Sequence, residues 1–184
     1  MINTTTKLVA IAVGLAVVTA ACGSSDGGDT DQATASGTAA DTTGAAIWAH
    51  IHEANYTTEW QLWPDKGRLY RGTEPHGMLL TTYLNDIAYE ALTRGAREMP
   101  AGAIVVKENH MPDSTLAAVT TMFKAPGYNG EHNDWFFTKH LATGALDRMP
   151  NGMAMEGRLP GCQNCHLGVR ANDYLFTGQL GTAR

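Results

Sequence analysis

Hydrophobic and polar positions follow two different periods along this chain. In residues 45–56, Ile47 and Ile51 are four apart with Trp48 beside them. That spacing predicts a helix with one buried face. His50 and His52 are two apart, so they face different sides of that helix and are expected at its surface. The aromatic run Trp60–Asp65 ends in a Pro turn, and Trp60 and Trp63 are expected to anchor the core. Arg68–Arg71 predicts a short strand, Glu74–Gly77 a turn, and Met78–Leu84, rich in Thr, Leu and Tyr, a second strand. Asn85 then stands where an N-cap belongs, with Ile87, Ala88, Ala91 and Leu92 as the buried stripe of a helix ending near Gly95. Three runs with strand composition follow, Ala103–Asn109, Thr115–Lys124 and Asp134–His140. Pro turns at Met111-Pro112-Asp113 and Ala125-Pro126-Gly127 separate them, and such short connections favour antiparallel neighbours. Residues 141–161 show no period and read as irregular, and Leu167–Leu180 reads as a turn of helix plus a closing strand. The expected fold class is α+β, mainly an antiparallel β-sheet with one or two helices.

The first 44 residues obey neither period. Leu8–Val18 is an apolar run of 11 residues behind Lys7, short for a membrane span, and Thr19, Ala20 and Ala21 lead from it to Cys22. This order is that of an export signal. Cys22 followed by Gly23-Ser24-Ser25 resembles the cysteine of a bacterial lipoprotein that becomes the lipidated N-terminus, although Thr19 stands where an aliphatic residue is usual. The stretch after it contains only Gly, Ser, Thr, Ala, Asp and one Gln, and cannot bury enough apolar surface to offset the entropy of ordering. The expected organisation is an export signal over 1–21, a lipid-anchored flexible tether over 22–44, and one folded domain over 45–184. The expected location is periplasmic or at the cell surface. The chain carries a net charge of −5; setting aside Lys7 and the four tether aspartates leaves −2 on the domain, which argues against nucleic acid as a partner.

The chemistry concentrates near the C-terminus. Cys162-Gln163-Asn164-Cys165-His166 is a C-x-x-C-H, the attachment signature of c-type haem. Two thiols three apart on one turn each add across a haem vinyl group, and the adjacent imidazole binds iron. A local disulfide or a redox pair leaves the His idle, and a closed zinc site needs a fourth ligand that no second Cys pair supplies. One covalently attached haem c is therefore expected, held by Cys162 and Cys165 with His166 as axial ligand. No Met or His follows His166 in the sequence, so an electron carrier's sixth ligand has to come from upstream, for example Met111 or Met153. An open, five-coordinate iron is expected instead.

Residues beyond the motif carry a resemblance. Ala103-Ile104-Val105-Val106-Lys107-Glu108, with Tyr83–Asp86, Tyr128–Trp135 and the run from Pro160 through His166 to Tyr174, resembles the cytochrome P-460 family. That resemblance implies a mainly β fold, one c-type haem and often a homodimer. It also implies, in the best-known members, a covalent bond from a Lys to the porphyrin and oxidation of hydroxylamine or a related nitrogen compound. Relatives such as cytochrome c′-beta lack the bond and bind nitric oxide or carbon monoxide. Lys107 best matches the cross-linking Lys; on a strand it shares a face with Val105 and Asn109, where an apolar site would free its amine. The alternative is a snorkelling surface Lys or the ion-pair partner of a nearby carboxylate. Glu156 is the candidate proton acceptor, with Glu108 and His110 behind it, and Trp135, Phe136 and Phe137 form either a wall over the iron or sheet core. The implied function is oxidation of a small nitrogen species, electrons leaving to an external one-electron acceptor. Gas binding without turnover and six-coordinate electron transfer are the alternatives.

Overall fold

The computed structural model describes residues 42–182. The apolar N-terminal run, Cys22 and the tether up to residue 41 lie outside the described residues.

Helix α1 (Gly44–Glu53) begins at Thr43, whose Oγ1 accepts from the Ala46 N–H at 3.1 Å. It buries Ile47 and Ile51 as the spacing predicts, and His50 and His52 are exposed. Asn55, left-handed at φ 48°, turns the chain into α2 (Tyr56–Glu59). There follow β1 (Gln61–Leu62), β2 (Tyr70–Arg71), β3 (Leu79–Leu84), α3 (Asp86–Thr93), β4 (Ile104–His110), β5 (Leu116–Lys124), β6 (Trp135–Leu141), β7 (Glu156–Gly157) and α4 (Pro160–Leu167). The seven strands form one sheet in the order β1-β3-β4-β5-β6-β7, with β2 also on β3, and every pairing is antiparallel. Among the described residues no helix is long and apolar enough to cross a membrane.

The register divides the side chains between two faces. Leu84, Val105, Met122 and Phe137 make one rung, and Thr82, Lys107, Thr120 and Lys139 the next, all on the same face. Tyr83, Val106, Thr121 and Thr138, then Thr81, Glu108, Val119 and His140, occupy the other. The first face packs with Trp63, Leu92, Met99, Leu159 and Leu175 into one core. The second packs with Ile47, Ile51 and Tyr56 of the N-terminal helices into another. Asn85 caps α3 through Oδ1, accepting from Ala88 at 3.0 Å, and the same oxygen accepts from Ile104 N at 3.0 Å, which ties the helix to β4.

The fold is α+β and mainly an antiparallel sheet, as expected; among the described residues α2 and α4 join the two predicted helices and are too short to leave a periodic signal. Finer expectations need correction. Ile87 is 44% exposed, not part of the buried stripe; Ala88, Ala91 and Leu92 define the face, and Ile87 lies roughly a quarter-turn from its centre. Leu167–Leu180 contains no strand. The sheet is closed instead by β7, from the segment read as irregular, which pairs only Phe137 with Gly157 and Thr138 with Glu156. Trp63 is fully buried, whereas Trp60 is half-buried.

Candidate functional site

Helix α4 opens with Pro160, whose fixed φ suits a first helical turn, after an extended Leu159. Cys162 and Cys165 are three apart on it and share a side, and their thiols are free, so the two are not joined as a disulfide. Burial pushes the Cys162 thiol up. His166 is buried, and its Nδ1 lies 2.6 Å from the Tyr174 carbonyl oxygen. A carbonyl only accepts, so Nδ1 carries the proton and Nε2 keeps its lone pair. This is the arrangement by which an outer partner orients a metal-binding imidazole. Burial also holds His166 below its ordinary pKa, and the Tyr174 bond opposes that shift.

The Tyr174 carbonyl is itself fixed. Asp173 and Tyr174 are both left-handed, at φ 50° and 63°. The Asp173 carboxylate, 2% exposed, accepts from Met99 N at 2.7 Å, Lys124 Nζ at 2.8 Å, Asn133 Nδ2 at 2.9 Å and Trp135 Nε1 at 3.1 Å. One buried carboxylate thus joins the α3–β4 connection, β5, the β5–β6 connection and β6 to the residue that orients His166.

Between the first sheet face and the C-terminal segment lies a cleft of about 570 Å³. Val105, Lys107, Thr120, Met122, Phe137 and Lys139 line it from the sheet, and Leu159, Cys162, Cys165, His166, Leu175 and Phe176 from the other wall. A smaller recess of about 250 Å³, lined by Tyr70, Arg71 and Thr73, shares His76, Lys107, Cys165 and His166 with it. The His166 ring packs edge-on against Phe137 at 5.5 Å and Phe176 at 5.2 Å. Lys107 meets no carboxylate within ion-pair distance among the described residues, and burial lowers its pKa to about 8.

Expected residues separate by strand parity. Cys162, Cys165, His166 and Lys107 share the cleft. Glu156 does not line it. Its partner across the ladder, Thr138, belongs to the second face, and the Glu156 carboxylate accepts from Gly44 N at the start of α1. Glu108 is likewise on the second face, accepting from Tyr56 Oη at 3.1 Å and Tyr83 Oη at 3.3 Å. His110 also lines the cleft and lies 3.3 Å from Glu108. Of the aromatic trio only Phe137 lines the cleft; Trp135 lies in the same core, and Phe136 faces the other way. Met111 lines the cleft and Met153 does not. Sequence reasoning missed His76, which lines the cleft from the β2–β3 connection. Burial first, then the charges of Lys107 and His166, lower its pKa to about 4. Its only sequence signal was a turn, Pro75-His76-Gly77, which hides a cleft-facing side chain.

The profile of the cytochrome P460 family matches residues 55–177. The chain belongs to the cytochrome P460 family. No curated protein matches it. Membership in the cytochrome P460 family implies haem binding, and the residues fit that group. Two free thiols share one helical side, an imidazole nitrogen beside them has no protein partner among the described residues, and an apolar cleft opens at both.

Proposed function

We propose that this cytochrome P460 family chain is an exported, lipid-anchored protein carrying one covalent haem c and oxidising a small nitrogen species such as hydroxylamine. Cys162 and Cys165 would hold the haem through thioethers, His166 Nε2 would bind its iron, and Cys22 would carry the lipid. When bound, the haem supplies an open iron position for the nitrogen ligand and a redox centre that passes electrons singly to an outside acceptor. The protein's contribution is orientation and exclusion of water. Tyr174 holds the His166 proton on Nδ1. Phe137, Leu159, Leu175 and Met122 keep the cleft apolar, so charge inside it is weakly screened. A second copy of the chain is a candidate partner.

Lys107 carries the oxidase reading. Its amine stands in the same cleft as both thiols and His166, lacks a carboxylate partner among the described residues, and is desolvated towards its neutral, nucleophilic form. That supports a covalent bond from Lys107 Nζ to a porphyrin carbon, an N–H and a C–H bond breaking as two protons and two electrons leave to an outside oxidant; such a bond is the feature of the hydroxylamine-oxidising members. Protease digestion of the holoprotein followed by mass spectrometry tests this. The Lys107 peptide is expected to travel with the Cys162–Cys165 haem peptide. Clean separation of the two would replace oxidation with gas binding.

A further inference from the structure

Three imidazoles line the cleft among the described residues. The C-x-x-C-H accounts for His166, and His110 lies 3.3 Å from the Glu108 carboxylate. The third, His76, is held by a network of hydrogen bonds behind it. Asn109 Nδ2 donates to Lys107 O at 3.1 Å, Ala118 O at 3.2 Å and Thr120 Oγ1 at 3.3 Å. Those three acceptors orient the amide, so its Oδ1 is the atom turned to His76 Nδ1, 3.2 Å away. An amide oxygen only accepts, and His76 Nδ1 therefore bears the proton, with Thr120 Oγ1 also 3.4 Å from it. His76 Nε2 keeps its lone pair and has no protein partner among the described residues. His166 reaches the same state through Tyr174. The two rings stand 6.1 Å apart, centroid to centroid, with their planes at 87°.

We propose that His76 Nε2 accepts a hydrogen bond from the N–H or O–H of a nitrogen hydride bound in the cleft, and so sets the site's selectivity. The inference rests on the reading of the cleft as a hydroxylamine site and deepens it. Hydroxylamine brings donors that such an acceptor can meet. Nitric oxide and carbon monoxide bring none, so they gain nothing from His76. Asn109 and Thr120 are positioning residues in this scheme, because they fix which ring nitrogen is free. The feature is absent from the C-x-x-C-H itself and comes from a loop some ninety residues upstream of it.

Equilibrium titration of the holoprotein decides the matter, with hydroxylamine added to the ferric form and carbon monoxide to the ferrous form. In His76→Leu, hydroxylamine binding is expected to weaken roughly five- to tenfold, the worth of one lost hydrogen bond, with carbon monoxide binding changed less than twofold. His76→Gln, whose amide oxygen can accept, is expected to recover most of the loss. Asn109→Leu leaves the ring in place but releases its tautomer, and a smaller loss with the same selectivity is expected; this variant keeps the test in force should His76→Leu yield no holoprotein. Equal weakening of both ligands would mean that His76 merely packs, and overturns the proposal. So would a change of the ligand-free ferric spectrum from six- to five-coordinate in His76→Leu, which would make His76 an iron ligand. If the unmodified holoprotein binds no hydroxylamine, the reading of the site falls and the proposal with it. Unchanged hydroxylamine binding in the variants sinks the proposal alone.

Discussion

Adjacent residues on β4 have opposite fates because a strand sends neighbours to opposite faces. Lys107 enters the cleft, and Glu108 enters a polar cluster with Tyr56, Tyr83 and His110. Burial first, and then the Glu108 charge, raise the pKa of Tyr83 to about 12, with Arg68 opposing them. The same parity places His140 on the second face, 2% exposed and stacked on Trp48 at 4.5 Å. Burial lowers the His140 pKa, His52 adds to that, and Glu156 opposes it. The unfolded chain therefore takes up a proton below its ordinary value of 6.5 while the folded protein does not. Stability is unaffected by this group above that value and is lost as pH falls below it. Replacing His140 with Leu is expected to narrow the difference between urea midpoints measured at about pH 7 and about pH 5.5.

At the scale of elements, the structure explains what the sequence could disclose. β3 to β6 each run for six to nine residues with β-branched or aromatic content, long enough for period and composition to identify them. Lys107 was readable for the same reason: its face follows from its neighbours within one strand. Glu156 was not. It sits on a two-residue strand whose parity exists only through pairing with β6, and no local pattern announces that. His76 was hidden because a turn has no face to assign. Glu156 instead belongs to the seating of α1, where a carboxylate meets the helix N-terminus through Gly44 N. Glu156→Ala is expected to destabilise the fold by about 1 kcal/mol, read as a lower urea midpoint. The visible spectrum of the holoprotein should stay as it was; a changed spectrum would return Glu156 to the haem side.

Across the whole molecule, Asp173 is the residue on which distant parts converge. Lys124, 7% exposed at its side chain, pairs with Asp173 at 2.8 Å, while its other carboxylate neighbour, Glu98 at 3.3 Å, is largely in solvent. Removing one partner of a buried pair leaves an uncompensated charge, and Asp173→Asn is expected to cost about 3 kcal/mol in urea unfolding. The same variant loosens the turn that presents the Tyr174 carbonyl, so its haem spectrum should broaden or shift as well. A stability loss with an unaltered spectrum would uncouple the hub from the ligand.

The route of the chain through this hub sets an order of folding. Strands β3 to β6 are complete by Leu141, and the carboxylate that fixes the turn beside the His166 imidazole arrives only at residue 173, after the C-x-x-C-H has emerged. During vectorial synthesis the sheet is available as a template before the motif can be clamped to it. There is thus an interval in which Cys162 and Cys165 lie on an unfastened segment, and the same turn that later aims His166 ends that interval.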